Sequence, residues 1–144
     1  MVHEDELARA AAELRVLTGQ LMRRMRAAHQ GAPLTLSQAA VLYRLATEGP
    51  DTPAALARAE RVRPQSMGAT LGALEDQGLV GRRPHPTDGR QVVMAATGPG
   101  LALLEEIRTA KESWLLEAVR TSFDPDEQRT LIEAVALLRR LVES

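Results

Sequence analysis

The sequence predicts a mainly α-helical fold carrying one small β-hairpin, an α+β chain in which helices dominate. Three observations point there. Apolar residues recur at three- and four-residue steps over most of the 144 residues, the period of helices with one buried face. Aromatic residues make up only 2% of a chain that is 44% hydrophobic, so the core rests on Leu, Val, Ile, Met and Ala, a composition that suits helices. In one stretch, 79–95, the period changes from helix to strand around a loop holding two prolines and an Asp-Gly.

The first element is a long amphipathic helix, about Glu4 to His29, with Leu7, Ala11, Leu14, Leu17 (or Thr18), Leu21, Met25 and Ala28 on one stripe. Gly31-Ala32-Pro33 is expected to end it. A second helix begins near Leu36, where Thr35 and Gln38 have the spacing of a capping box. Ala39, Leu42, Tyr43, Leu45 and Ala46 form its expected core side, and Gly49-Pro50-Asp51 breaks it. Thr52 caps a short third helix with Pro53 at its first position, where a missing N–H costs nothing. Ala55, Leu56 and Ala59 are its expected core face. After Arg61-Val62-Arg63, Pro64 opens a fourth helix, 64–77, that puts Met67, Leu71 and Leu74 on one face and Gln65, Ser66, Ala69 and Thr70 on the other. Gly78 supplies a left-handed stop.

Leu79–Arg83 and Gln91–Ala95 then read as two short strands joined by an exposed loop, within a wing spanning 84–91. Thr97 to Gly100 opens a long helix to about Thr121, with Leu101, Leu104, Ile107, Trp114, Leu115 and Ala118 as its stripe. A last helix follows Asp124 and Pro125, with Glu127 placed to reach back to the cap. Its Leu131, Val135, Leu138 and Val142 recur at steps of four, three and four, a coiled-coil-like seam.

The composition narrows the function. With no cysteine, a disulfide framework, a thiolate zinc site and a thiol redox switch are excluded. The three histidines lack metal-ligand spacing, so no metal or cofactor is expected. No serine sits in a Gly-x-Ser-x-Gly setting, and neither a phosphate-binding glycine loop nor His-Glu-x-x-His is present, so an enzyme is not expected. The apolar runs are too short for a membrane span and the first residues are acidic, which makes the cytoplasm the default compartment. Net charge is −1, but its distribution is uneven. Residues 58–90 carry six arginines against four acids, whereas residues 105–144 carry six bases against nine acids. A basic middle is compatible with a phosphate-binding face and equally with a solvated mixed-charge surface.

Two helices packed on a third and followed by a two-stranded wing make a winged helix-turn-helix. Such a helix fits the DNA major groove, and a ribbon with an arginine tip can enter the minor groove. Over essentially its whole length the chain resembles the MarR family of dimeric bacterial regulators. The resemblance rests on Leu74-Glu75-Asp76-Gln77-Gly78-Leu79-Val80, Arg82-Arg83-Pro84, Thr87-Asp88-Gly89-Arg90-Gln91-Val92 and the Thr97…Gly100 helix opening, with Asp88 and Arg90 matching the family's Asp-x-Arg wing signature.

The resemblance implies a single domain, 1–144, with a DNA-binding part at about 34–97 and dimerisation helices at about 4–30 and 98–144. It implies that Arg90 probes the minor groove while Asp88 holds its guanidinium; the plain alternative is an ordinary turn ion pair. Gln65, Ser66 and Thr70 would face the major groove. Arg63, Arg82 and Arg83 would meet phosphates, or stand as a solvated edge. Leu7, Leu14, Leu21, Leu131, Val135, Leu138 and Val142 would form a homodimer interface, or else cap a monomeric core. The implied function is a repressor on an inverted-repeat operator of double-stranded DNA, released by a small aromatic or phenolic effector.

One departure stands out: the family often carries Thr-Arg in mid-recognition helix, where this chain has Gly68-Ala69, with Gly72 one turn on. Weaker base reading, a shift of the contacts to Thr70 and the wing, or a close helix approach would each account for it, and so would a DNA-silent adaptor that binds a protein. His85 stands in the wing, where relatives often have an acid, and as an imidazolium it would favour phosphate at low pH.

Overall fold

The computed structural model describes residues 1–29 and 34–144. Along the chain run α1 (Glu4–Ala27), α2 (Leu36–Glu48), α3 (Pro53–Glu60), α4 (Pro64–Asp76), β1 (Val80–Pro84), β2 (Val92–Ala96), α5 (Gly98–Ser122) and α6 (Pro125–Val142). The mainly helical chain with one hairpin is as expected from sequence. Gly31-Ala32-Pro33, the expected end of α1, lies outside the described residues. The residues group into two compact units, one of 30–108 and one of 1–29 with 109–144.

Local chemistry sets the helix starts. Thr35 Oγ1 accepts from Gln38 N–H at 3.1 Å while Gln38 Oε1 accepts from Thr35 N–H at 3.1 Å. Asp124 and Glu127 make the same reciprocal pair at 2.9 Å and 2.9 Å ahead of α6. Thr52 Oγ1 accepts from Ala55 N–H at 3.1 Å, with Pro53 at the first helical position of α3. Each cap satisfies backbone donors that a helix start leaves orphaned.

Within the 30–108 unit, α2, α3 and α4 bury Val41, Leu42, Leu45, Leu56, Ala57, Met67, Leu71 and Leu74 against Val80 and Met94 of the hairpin. Leu103 from the start of α5 joins them. The strands pair antiparallel with Val80 opposite Ala96 and Pro84 opposite Val92, one residue later at each end than the sequence suggests. Asp51, between α2 and α3, adds a third short bridge: its N–H donates to Met94 O at 3.1 Å and its carbonyl accepts from Met94 N–H at 2.7 Å.

Three expected core positions are corrected. Tyr43 is 62% exposed, because the buried face of α2 is centred on Val41, Leu42 and Leu45 and Tyr43 projects from the far side. In α3, Ala57 rather than Ala59 joins Leu56 inside. In α5, Leu103 is buried and Leu101 exposed.

The α5 start explains the Thr97…Gly100 pattern. Thr97 Oγ1 donates to Gly78 O at 2.6 Å and accepts from Gly100 N–H at 3.2 Å, while Thr97 N–H donates to Leu79 O at 3.0 Å. This tie brings Gly100 so close to the Leu79 carbonyl that a Cβ there would collide with its oxygen.

In the unit of 1–29 and 109–144, neither α1 nor α6 has a buried residue. Arg24 of α1 stacks its guanidinium over the Trp114 ring of α5, 5.3 Å from the centroid, a cation–π contact. Of the seven expected interface residues, Leu131 is half-buried and Leu7, Leu14, Leu21, Val135, Leu138 and Val142 are exposed.

Candidate nucleic-acid interface

The site is built on α4 and the hairpin, both in the 30–108 unit. Pro64 fixes the backbone at the first position of α4, and Met67, Leu71 and Leu74 anchor the helix to the core. The opposite side is thereby presented outward. Arg63 occupies the N-cap with its side chain making no cap bond. Gln65 and Ser66 are exposed in the first turn, and Ala69 is exposed one turn on. Thr70 is turned more inward: half-buried, it lines with Ser66, Val41, Met67 and Val62 a groove of about 210 Å³ between α2 and α4. A Cβ added at Gly68 or Gly72 would meet nothing within 4 Å. No packing within the described chain therefore requires these glycines, and the outer side of α4 is smooth because they leave it so.

The hairpin tip is organised by two side chains. Asp88 Oδ1 accepts from the Arg90 backbone N–H at 3.1 Å and lies 3.4 Å from Arg90 Nε, while Asp88 Oδ2 accepts from Gln91 Nε2 at 3.2 Å. These donors, the Arg90 backbone N–H first, hold the Asp88 carboxyl below the ordinary carboxylate range. The contact to the guanidinium is long and single, and the Arg90 side chain is 93% exposed. Asp88 thus shapes the turn more than it clamps Arg90. His85 supports the same turn from the other side. Its Nδ1 accepts from Thr87 N–H at 3.2 Å and Asp88 N–H at 3.0 Å, as an Asx side chain would.

The two strand arginines have different surroundings. Arg82 Nε and Nη2 grip both oxygens of Glu75 at 3.0–3.2 Å. Hydrogen bonding to Glu75 is the largest cause of a pKa raised above the usual arginine value. This fork ties the end of α4 to β1 and commits Arg82 to a partner within the chain. Arg83 is exposed and has no ion-pair partner among the described residues. Arg44, behind the helices, bridges Glu48 of its own helix and Glu60 of α3, the latter at 2.9 Å.

Set beside known proteins, the chain matches the sequence profile of the MarR family over residues 32–91. It is 40% identical over 139 residues to an HTH-type transcriptional regulator of Mycobacterium leprae, covering 96% of each chain. The chain belongs to the MarR family. A crystal structure of a candidate transcriptional regulator from Pseudomonas aeruginosa, 33% identical, superposes with a TM-score of 0.84 over 99% of both chains. A Staphylococcus aureus MepR variant solved bound to an oligodeoxyribonucleotide shares the fold at 16% identity, with a TM-score of 0.72 over 92% of this chain and 97% of that one. The chain is therefore a MarR-family transcriptional regulator with a DNA-binding winged-helix fold.

Two contributors to this MarR winged helix escape sequence reasoning. Glu75 is seven residues from Arg82 across a helix end and a turn, so no helix or strand period pairs them. Arg61, in the turn before α4, has φ of 56°, and only its place just after the last residue of α3 signals this.

Proposed function

We propose that the protein is a homodimeric repressor of the cytoplasm that binds an inverted-repeat operator, with α4 in the major groove and the wing at the minor groove. The observation that carries this reading is the tip: Arg90 stands 93% exposed on a turn that Asp88, His85 and Gln91 hold in shape. An exposed guanidinium on an ordered turn suits a narrow, negative groove. The S. aureus MepR neighbour, which shares the fold and was solved bound to an oligodeoxyribonucleotide, supports DNA as the partner. Arg63, Gln65 and Ser66 are free to meet DNA at the start of α4, Arg83 and Arg90 along the wing. Thr70 reads at the margin of that face. Arg82 acts on DNA through Glu75, by fixing the wing against α4. The exposed stripes of α1 and α6 support pairing with a second copy, whose twofold axis would set recognition helices about 34 Å apart. A small aromatic or phenolic effector is carried by family membership alone.

The test is fluorescence anisotropy with DNA from upstream of the protein's own gene, random DNA, and Arg90→Ala. Tight, salt-steep, sequence-selective binding that falls roughly tenfold in the variant is expected. The smooth Gly68-Ala69-Gly72 side of α4 favours one rival, an adaptor that docks a protein instead of DNA. A shallow salt slope, equal for wild type and Arg90→Ala, would sink the DNA reading and favour that rival.

A further inference from the structure

Two helices of the winged unit end in the same backbone motif, and the chain fills its key position differently each time. After α4, Gly78 N–H donates to Glu75 O at 2.8 Å and Leu79 N–H to Leu74 O at 3.0 Å, with Gly78 at φ of 73°. After α3, Arg61 N–H donates to Arg58 O at 3.2 Å and Val62 N–H to Ala57 O at 3.0 Å, with Arg61 at φ of 56°. Both are left-handed helix stops closed by a six-to-one hydrogen bond. Glycine enters that region without strain, whereas a residue with a Cβ does not. Arg61 is the only non-glycine residue with positive φ among the described residues. Its side chain is exposed and forms no ion pair among the described residues, so nothing there repays the strain. Arg58 and Arg63, on either side, are likewise exposed and without an ion-pair partner among the described residues, in contrast to the engaged Arg44 and Arg82.

We infer that Arg61 is a DNA phosphate contact, retained at a glycine position for its charge, and that with Arg58 and Arg63 it forms a basic clasp on the phosphodiester backbone beside the start of α4. A residue strained in the backbone and idle within the fold is explained by a partner outside it. That partner is polyanionic, because three unpaired guanidinium groups flank one turn, and double-stranded DNA is the polyanion that the neighbouring helix and wing address. The clasp contributes affinity and register, not base selection. It rests on the DNA reading above, which the experiment separates from it.

The full-length protein is compared with Arg61→Gly, Arg61→Lys and Arg90→Ala, by thermal unfolding and by binding to a random-sequence duplex of about 25 base pairs across a salt series. One protein footprint covers roughly two major-groove turns of such a duplex. Arg61→Gly is expected to raise Tm by about 2–4 °C. It should also weaken binding about fivefold per recognition helix at 0.15 M salt, and lower the slope of log K against log salt by about 1 per helix. Arg61→Lys, which keeps charge and Cβ, should hold wild-type slope and Tm. An unchanged Tm or an unchanged slope in Arg61→Gly overturns the inference, as does an equal loss of slope in Arg61→Lys. If Arg90→Ala still lowers the slope in that case, the DNA reading stands without the clasp. A wild-type protein with no salt-dependent binding removes both.

Discussion

At the scale of the residue, three glycines make opposite demands. An alanine at Gly68 or Gly72 would meet open space, in a helix whose φ values are ordinary. Glycine in a helix interior is less stable than alanine by about 0.5–1 kcal/mol. Gly68→Ala and Gly72→Ala are therefore expected each to stabilise the protein by that amount in urea unfolding. An alanine at Gly100 would instead press on the Leu79 carbonyl and stand 3.2 Å from Leu42 Cδ1. Gly100→Ala should cost about 1–3 kcal/mol, in the range of overpacked cores. A stability loss at Gly68, or none at Gly100, would show that these environments are misjudged. Should Gly68→Ala stabilise the fold yet weaken DNA binding, its open side is a surface that a groove approaches closely.

At the scale of the element, the wing tip depends on which atoms can accept a proton-bearing neighbour. His85 Nδ1 takes two backbone N–H groups, a role only an imidazole unprotonated at that nitrogen can fill. The ionised group facing it is Asp88, itself paired with Arg90. Asp88, held low by the Arg90 backbone N–H first, orders the turn fully above the unfolded carboxylate value and loses it only as pH falls through its lowered folded value. His85→Ala leaves the Thr87 and Asp88 N–H groups without their side-chain acceptor, so it should loosen the tip and weaken DNA binding roughly fivefold. His85→Asn, whose Oδ1 can accept the same N–H groups, should bind like wild type. A His85→Ala protein that binds as tightly as wild type would rule this out.

Legibility also varies by element. Helix starts were readable to the residue at Thr35, Thr52 and Asp124, because a cap is chemistry between near neighbours. Which face of α4 is buried and which turns outward follows from the spacing of Met67, Leu71 and Leu74. Tyr43 departs from expectation because its ring is apolar enough to suggest burial, whereas the helical period places it opposite Val41, Leu42 and Leu45. The Glu75–Arg82 fork and the Asp51–Met94 bridge depend on where separate elements meet, which no local pattern encodes.

At the scale of the whole molecule, oligomeric state is the decisive quantity. Leu7, Leu14 and Leu21 on α1 and Val135, Leu138 and Val142 on α6 are 38–85% exposed in the single chain. A row of aliphatic side chains open to water is a liability unless a partner covers it. Sedimentation at micromolar concentration is expected to give twice the 15.7 kDa of one chain. Val135→Glu with Leu138→Glu should shift it to the monomer, with the hairpin unit still folded by circular dichroism. A wild type that sediments at one chain mass would end the dimer proposal, and with it the inverted-repeat operator.

The Arg24–Trp114 stack has a practical side. Trp114 is the only tryptophan in the chain, and it belongs to the terminal-helix unit with a cation held over its ring. Its emission is thus an optical gauge of that unit alone. A denaturation curve followed by tryptophan fluorescence watches that unit, whereas one followed by amide ellipticity sums over all the helices of the molecule. Where the two curves part, the terminal helices and the winged core are coming undone separately; where they coincide, the chain melts as one.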